Sequence, residues 1–164
     1  MLNKQAIYEL LKENDIAFES YEHSPVYTVE EMNALNLPHP EGIVKNLFLR
    51  DDKKRHFYLA VLPINKAVRL QLLRERITSR KLSFASDALL MEIMGLERGH
   101  VTPFGALNDQ ARKVTVVFDQ TLQDKTLGIH PMENTATVFV AFDEVKKLIE
   151  AHGNPIVICD LDEA

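Results

Sequence analysis

The chain has one cysteine, Cys159, so it can form no internal disulfide and build no cysteine-rich zinc module. That scarcity fits a reducing compartment, and the expected localisation is cytoplasmic. No apolar run reaches the roughly 18 residues of a membrane helix. The opening Met1-Leu2-Asn3-Lys4-Gln5 reads as a helix start rather than a signal peptide, because no apolar core follows the charge. No membrane partner is therefore expected. A basic surplus is also missing: 19 basic residues face 24 acidic ones, a net charge of −5, which disfavours a duplex-DNA-binding protein. There is no repeat with a period of about 20–50 residues and no low-complexity linker. What is present is 164 residues with 46% hydrophobic and 26% charged side chains, ordinary globular values. A chain of that length buries roughly 68–70% of its unfolded surface. The expectation is a single domain spanning 1–164.

The standard catalytic signatures are absent too. There is no G-x-S-x-G, no Walker-type phosphate loop, no G-x-G-x-x-G and no H-E-x-x-H. The six histidines never pair at i, i+4, so no metal site and no cofactor are expected.

Asn3 is a plausible N-cap for a helix carrying Ile7, Leu10 and Leu11 and ending near Asn14. Ala17 to His23 reads as a strand. Thr28-Val29-Glu30-Glu31 is a capping-box pattern opening a short helix, stopped by Pro38-His39-Pro40. The strongest hairpin signal pairs Ile43–Arg50 with His56–Leu62 across a charged turn, and both runs are apolar enough for central strands. Asn65 is the expected cap of a helix over Val68–Arg76. Ser86-Asp87 opens another helix, which Gly95 ends. Gly99 to Gly105 reads as a loop. Strands are expected at 114–118, 126–130, 135–141 and 156–159, with an amphipathic helix over 142–152. Central strands flanked by helices define an α+β (mixed α/β) class with a mixed, mostly antiparallel sheet.

Four places could carry chemistry. Lys45 stands beside Asn46 in an apolar strand, so it either snorkels to solvent or faces a polar cleft, since burying an unpaired ammonium is costly. Gly99-His100-Val101-Thr102-Pro103-Phe104-Gly105 is either a rigid turn or the wall of a small-molecule pocket. Gly128-Ile129-His130-Pro131, followed by Asn134, brings a histidine to a strand end, where it could act as acid, base or donor. Arg69, Arg74, Arg76, Arg80 and Lys81 oppose only Glu75, a basic stretch in an acidic chain that could hold a nucleic-acid backbone. Cys159, with Asp160 and Asp162 near it, fits a packed core thiol better than a nucleophile.

Taken in order, Val44-Lys45-Asn46-Leu47-Phe48-Leu49-Arg50-Asp51, Val101-Thr102-Pro103-Phe104-Gly105, and Gly128-Ile129-His130-Pro131 with Asn134-Thr135-Ala136-Thr137 resemble the freestanding aminoacyl-tRNA deacylases. That group is related to YbaK and to the editing insertion domain of bacterial prolyl-tRNA synthetase. The Lys-Asn pair looks most like the alanyl-tRNA(Pro) deacylase branch of ProXp-ala or PrdX type. The resemblance implies a barrel-like sheet without metal, and hydrolysis of the ester joining a mischarged amino acid to the end of tRNA(Pro). It implies that Lys45 holds the tRNA 3′ end and Asn46 places the substrate. His130 would lie near the reacting ester, and Gly128, Ile129 and Pro131 would line the aminoacyl pocket. Ile43, Val101, Thr102, Pro103, Phe104, Gly105 and Asn134 complete the expected substrate-binding set, and the basic stretch the expected tRNA-binding set. The implied partners are the tRNA(Pro) acceptor end and prolyl-tRNA synthetase.

An aminoacyl ester is already activated, so a site that positions water and stabilises an oxyanion suffices, helped by the ribose 2′-hydroxyl. A pocket built for proline rejects smaller alanine by only about 1–3 kcal/mol, which is why a second, smaller pocket is needed. Two alternatives share the fold: a Cys- or Ser-tRNA deacylase, and a non-catalytic module gripping a tRNA 3′ end or a synthetase.

Overall fold

The structure is a computed structural model and describes residues 1–162. Helix α1 (Lys4–Glu13) begins where Asn3 accepts the Ala6 N–H at 3.0 Å, and Ile7 and Leu11 are its buried face. Strand β1 (Phe18–Glu22) leads to α2 (Val29–Ala34). Thr28 Oγ1 accepts the Glu31 N–H at 3.0 Å, as the capping box predicts. The Glu31 carboxylate reaches back one residue further than expected, accepting from the Tyr27 N–H at 3.3 Å.

The hairpin is formed by β2 (Val44–Asp51) and β3 (Phe57–Pro63), antiparallel from Val44 opposite Pro63 to Arg50 opposite Phe57. Its tip is closed by Asp51, whose Oδ1 accepts the Arg55 N–H at 2.9 Å. Helix α3 (Leu70–Ile77) starts later than expected and has no side-chain cap. Asn65 is occupied elsewhere, accepting from Asn33 Nδ2 at 3.0 Å. Strand β4 (Leu82–Phe84) was not foreseen: three residues are too few to display a period of two. Helix α4 (Asp87–Met94) is capped by Ser86, which accepts the Leu89 N–H at 3.1 Å.

The expected loop over Gly99–Gly105 is only half a loop. Pro103 occupies the first turn of a 3-10 helix, Pro103–Asn108, where its missing N–H costs nothing. Then follow β5 (Val114–Asp119), β6 (Thr126–Ile129), β7 (Ala136–Ala141), α5 (Phe142–His152) and β8 (Ile156–Cys159).

Two sheets result. The larger runs β4-β2-β3-β5-β8, with β2 antiparallel to both β3 and β4 and with β3, β5 and β8 parallel. The smaller is antiparallel, β1-β7-β6. Among the described residues a single parallel bridge, between Ile43 and Gly128, joins them, and the barrel-like arrangement does not close.

Alternation along β3 explains the layering. Phe57, Leu59 and Val61 enter the main core, with α1, α4, α5 and the smaller sheet. Ala60 and Leu62 face the other way, against Leu73 of α3 and Leu161. A third cluster packs α2 onto Ile43, Ile64 and Phe139.

Candidate active site

The site lies where β2 begins and β6 ends, beside the bridge between the sheets. A cavity of about 430 Å³ opens there. Its walls come from the Val26–Val29 segment and Met32 of α2, Val44–Asn46 and Phe48 of β2, Phe84 at the end of β4 and Ala85 after it, Leu90 of α4, Gly99 and Val101, and Gly128 and Ile129 of β6 with His130 following. The volume is within the range of small-molecule sites.

The β2 pleat places Asn46 between Val44 and Phe48 on the face that looks toward α4 and the main core. Its Nδ2 donates to the Val101 carbonyl at 3.1 Å, which fixes the amide. The Oδ1 thereby turned away is buried and has no partner. Such an orphaned acceptor costs about 1–3 kcal/mol unless something supplies a donor. Lys45, one residue earlier on the opposite pleat, reaches the cavity at the strand's end. It is half-buried and makes no ion pair or hydrogen bond among the described residues.

His130 follows β6. Its Nδ1 faces the Ala136 carbonyl at 3.0 Å and so carries the proton. Nε2 is left as the acceptor of a ring that lines the cavity. Burial pushes the His130 pKa below the ordinary imidazole value; the bond to Ala136 opposes this, while His23 and His100 reinforce it. The imidazole is therefore neutral at pH 7. His23 lies behind it, ring centroids 6.4 Å apart, and is fixed by Thr137 Oγ1 and the Ser24 carbonyl, each at 2.9 Å.

Gly128 must be glycine. A Cβ there would stand 2.8 Å from Phe139 Cε1 and 3.0 Å from Ile43 Cγ1. Gly99 has φ +89° and lies against the Tyr27 ring.

Lys45, Asn46, Val101, Gly128, Ile129 and His130 thus come together from three separate stretches of sequence. Other expected site residues do not line the cavity. Ile43 forms the bridge to Gly128 through its backbone, and its side chain belongs to the cluster of Met32 and Phe139. Phe104, Pro103 and Gly105 are buried in the 3-10 helix, and Thr102 at its cap keeps a buried, unpartnered Oγ1. Pro131 is buried just past His130. Asn134 is a buried tie, its Nδ2 donating to the Val26 carbonyl at 2.8 Å.

None of the five basic residues of the Arg69–Lys81 stretch lines the cavity. Arg76 donates to the Asp160 carbonyl at 2.9 Å, and Arg80 pairs with Asp52 at 2.5 Å. Arg74 and Lys81 are exposed. Cys159 is half-buried against the α3-side core, and burial, then Asp119 and Asp160, raises its pKa, as suits a packed thiol.

Tyr27, Phe84, Arg98 and the apolar wall of Val26, Met32 and Leu90 were missed by sequence reasoning. The only local signal was an aromatic placed just before a capping box. Among the described residues no group of three or more His, Cys, Asp or Glu side chains could hold a metal ion. No described helix is long and apolar enough to cross a membrane.

The sequence model of the aminoacyl-tRNA editing domain matches residues 23–148, and the chain belongs to that family. Its class is that of the aminoacyl-tRNA deacylases, hydrolases of the ester between an amino acid and tRNA, so the resemblance seen in the three motifs is borne out. The chain is 42% identical over 159 residues to the prolyl-tRNA editing protein ProX of Acetoanaerobium sticklandii, covering 96% of this chain and 97% of that one. It is 33% identical over 163 residues to prolyl-tRNA synthetase associated domain-containing protein 1 of Danio rerio, covering 97% and 88%. Among solved structures, a candidate trans-editing enzyme for prolyl-tRNA synthetase superposes with a TM-score of 0.73 over 98% of this chain and 97% of that one. At 18% identity this likeness speaks to the fold alone.

Proposed function

We propose that the whole chain, 1–164, acts as one trans-editing domain that hydrolyses mischarged alanyl-tRNA(Pro) in the cytoplasm. The observation that carries this reading is the buried, unpartnered Asn46 Oδ1 in a cavity that also presents a neutral His130. An alanyl ester brings a cationic α-ammonium, which satisfies that acceptor. It also brings a carbonyl carbon open to water. In the proposed reaction His130 Nε2 takes a proton from the attacking water, whose oxygen bonds to the carbonyl carbon. The C–O ester bond breaks, and the proton passes to the departing ribose oxygen. The ribose 2′-hydroxyl orients the water. Lys45 offers its charge to the phosphate of the 3′ end. Val101 and Ile129 restrict the side-chain space.

The resemblance and the names of the relatives favour tRNA(Pro) as carrier and prolyl-tRNA synthetase as partner. A net charge of −5 favours weak, salt-sensitive tRNA binding that a partner would assist. The exposed Arg74 and Lys81 are the members of the basic stretch best placed to meet tRNA outside the cavity.

The test is single-turnover deacylation of Ala-, Cys-, Ser- and Pro-tRNA(Pro) by the wild type and Lys45→Ala. Selective loss of the alanyl ester, abolished by the substitution, is the expected result. Preference for cysteinyl or seryl ester would move the substrate within the family. No hydrolysis of any ester would overturn the enzymatic reading in favour of a 3′-end- or synthetase-binding module.

A further inference from the structure

Four large hydrophobic side chains are conspicuously exposed: Met1, Tyr27, Phe84 and Met91. The two aromatic ones, 69% and 60% exposed, both line the candidate active-site cavity. Scattered surface apolar residues need no explanation, but two aromatic rings at one functional opening do.

Both residues are anchored through their neighbouring backbone. The Val26 carbonyl is tied by the buried Asn134, and the Tyr27 N–H by Glu31. The Tyr27 ring rests against Gly99, where a Cβ would come within 3.2 Å of Cδ1, so a side chain at 99 would displace it. Phe84 is fixed by its pairing with Leu49 and by the adjacent Ala85 N–H, which donates to the Phe48 carbonyl at 3.0 Å. Arg98 stands at the same cavity with an exposed guanidinium, 3.3 Å from Asp87, the acid that also lines it. With the unpaired Lys45, two cations and one acid surround the opening.

We propose that Tyr27 and Phe84 are stacking platforms for unpaired nucleobases at the 3′ end of the tRNA. This rests on the function proposed above and adds the part of the substrate that the rim would hold. The ester is attached to the ribose of the last nucleotide. Once its carbonyl lies beside Asn46 and His130, the base on that ribose must emerge at the rim, and the preceding base beyond it. Every base has an apolar π-face, so a ring, or the Arg98 plane, binds it without reading sequence. The excess of cations over acids at the opening matches the intervening phosphates.

The test is equilibrium binding of an uncharged CCA-ended oligonucleotide, read by fluorescence anisotropy at low salt. Wild type is compared with Tyr27→Leu, Tyr27→Phe, Phe84→Leu and Phe84→Tyr. Base stacking is worth about 1–3 kcal/mol per base, so each leucine variant is expected to raise Kd roughly 5- to 150-fold. The aromatic variants should stay within about threefold of wild type. Removing the terminal base should erase the difference between wild type and at least one leucine variant. In deacylation assays the leucine variants should raise the half-saturating concentration more than they lower the saturating rate.

The stacking proposal is overturned if the leucine variants bind the oligonucleotide as wild type does. The same holds if they are impaired only when prolyl-tRNA synthetase is present, which would make the rim a protein-docking surface. A wild type that binds with ring-dependent affinity but hydrolyses no aminoacyl ester would instead overturn the function proposed above and leave the stacking site standing.

Discussion

Replacing Asn46 with alanine removes two features with opposite effects on the folded state. The bond from Nδ2 to the Val101 carbonyl disappears, a loss of about 1 kcal/mol. The buried Oδ1, which has no partner, disappears as well, and an orphan of that kind costs about 1–3 kcal/mol. The two nearly offset, so Tm should move by no more than about 4 °C in either direction. Activity should not be spared. A hydrogen bond to a charged donor is worth about 1.5–3 kcal/mol, so kcat/KM for alanyl-tRNA(Pro) should fall roughly 10- to 150-fold. The assay pairs thermal melts with single-turnover deacylation of alanyl- and N-acetylalanyl-tRNA(Pro). Acetylation replaces the ammonium by a neutral amide, whose hydrogen bond is about half as strong. The wild-type-to-variant ratio should therefore shrink to about its square root. A large drop in Tm with a proportionate loss of activity would make Asn46 a structural tie and refute the reasoning. An unchanged kcat/KM, or a ratio indifferent to acetylation, would refute it too.

Because His130 has a depressed pKa, the unfolded chain binds the extra proton more readily. Its contribution to stability is present above the unfolded value near 6.5 and is lost as pH falls toward the folded value. Urea melts at about pH 5 and about pH 8 should show a smaller pH-dependent loss in His130→Asn than in wild type. An identical loss would mean the depression is absent. Lys66 is ion-paired with the fully buried Asp119 at 2.6 Å and also contacts Asp162. Lys66→Met should destabilise by about 3 kcal/mol, the low end for a broken buried pair, because Asp119 keeps the Thr121 N–H. Calorimetry should show a Tm lower by about 6–12 °C, and a shift under about 2 °C would contradict the buried pairing. Gly128→Ala forces a methyl against Phe139 and Ile43 and should cost about 1–3 kcal/mol. Phe139→Leu in the same chain should recover part of that loss in chemical denaturation. If the double variant is no more stable than the single one, the ring is not the obstacle.

The sequence displayed those parts of the fold whose signals are local. The cap at Asn3, the box at Thr28, the Ser86 cap and the two apolar hairpin runs each announce themselves within a few residues, and each appears in the structure. What was not legible depends on partners far along the chain. Asn65 looked like a cap, but Asn33, 32 residues away, takes its side-chain oxygen. Asn134 looked like a turn former or a substrate ligand, yet it is spent on the Val26 carbonyl 108 residues away. The motif residues Lys45, Asn46 and His130 could be named from the chain. The apolar wall of Val26, Met32 and Leu90 could not, since an apolar side chain that lines a cavity has the same sequence signal as one packed in a core. Tyr27 and Phe84 were invisible for the converse reason: exposure of an aromatic ring is a property of the folded surface.

The described cavity residues offer no free nucleophile: Thr28 is on the wall, but its hydroxyl is occupied in capping α2, accepting the Glu31 N–H at 3.0 Å and donating to the Glu31 carboxylate at 3.1 Å. A thiol or hydroxyl attacking an ester needs an adjacent base and a third group to orient it. Cys159 is remote from the cavity, and its pKa is raised. Thr102 is buried without a partner but does not line the cavity. The cavity offers instead an acceptor fixed by Val101, a histidine fixed by Ala136 and a lysine with no acidic partner. Those groups can hold an ammonium, accept a proton and meet a phosphate. An activated ester whose own ribose hydroxyl orients the water asks for little more than that. Hydrolysis of an unactivated amide, whose leaving amine must be protonated, would ask for considerably more. The proposed reaction therefore makes a sharp chemical statement. The protein should cleave alanyl ester and leave intact the analogue in which alanine is joined to the 3′-terminal ribose through an amide. Cleavage of that amide at a comparable rate would show that the site holds catalytic power these residues do not account for.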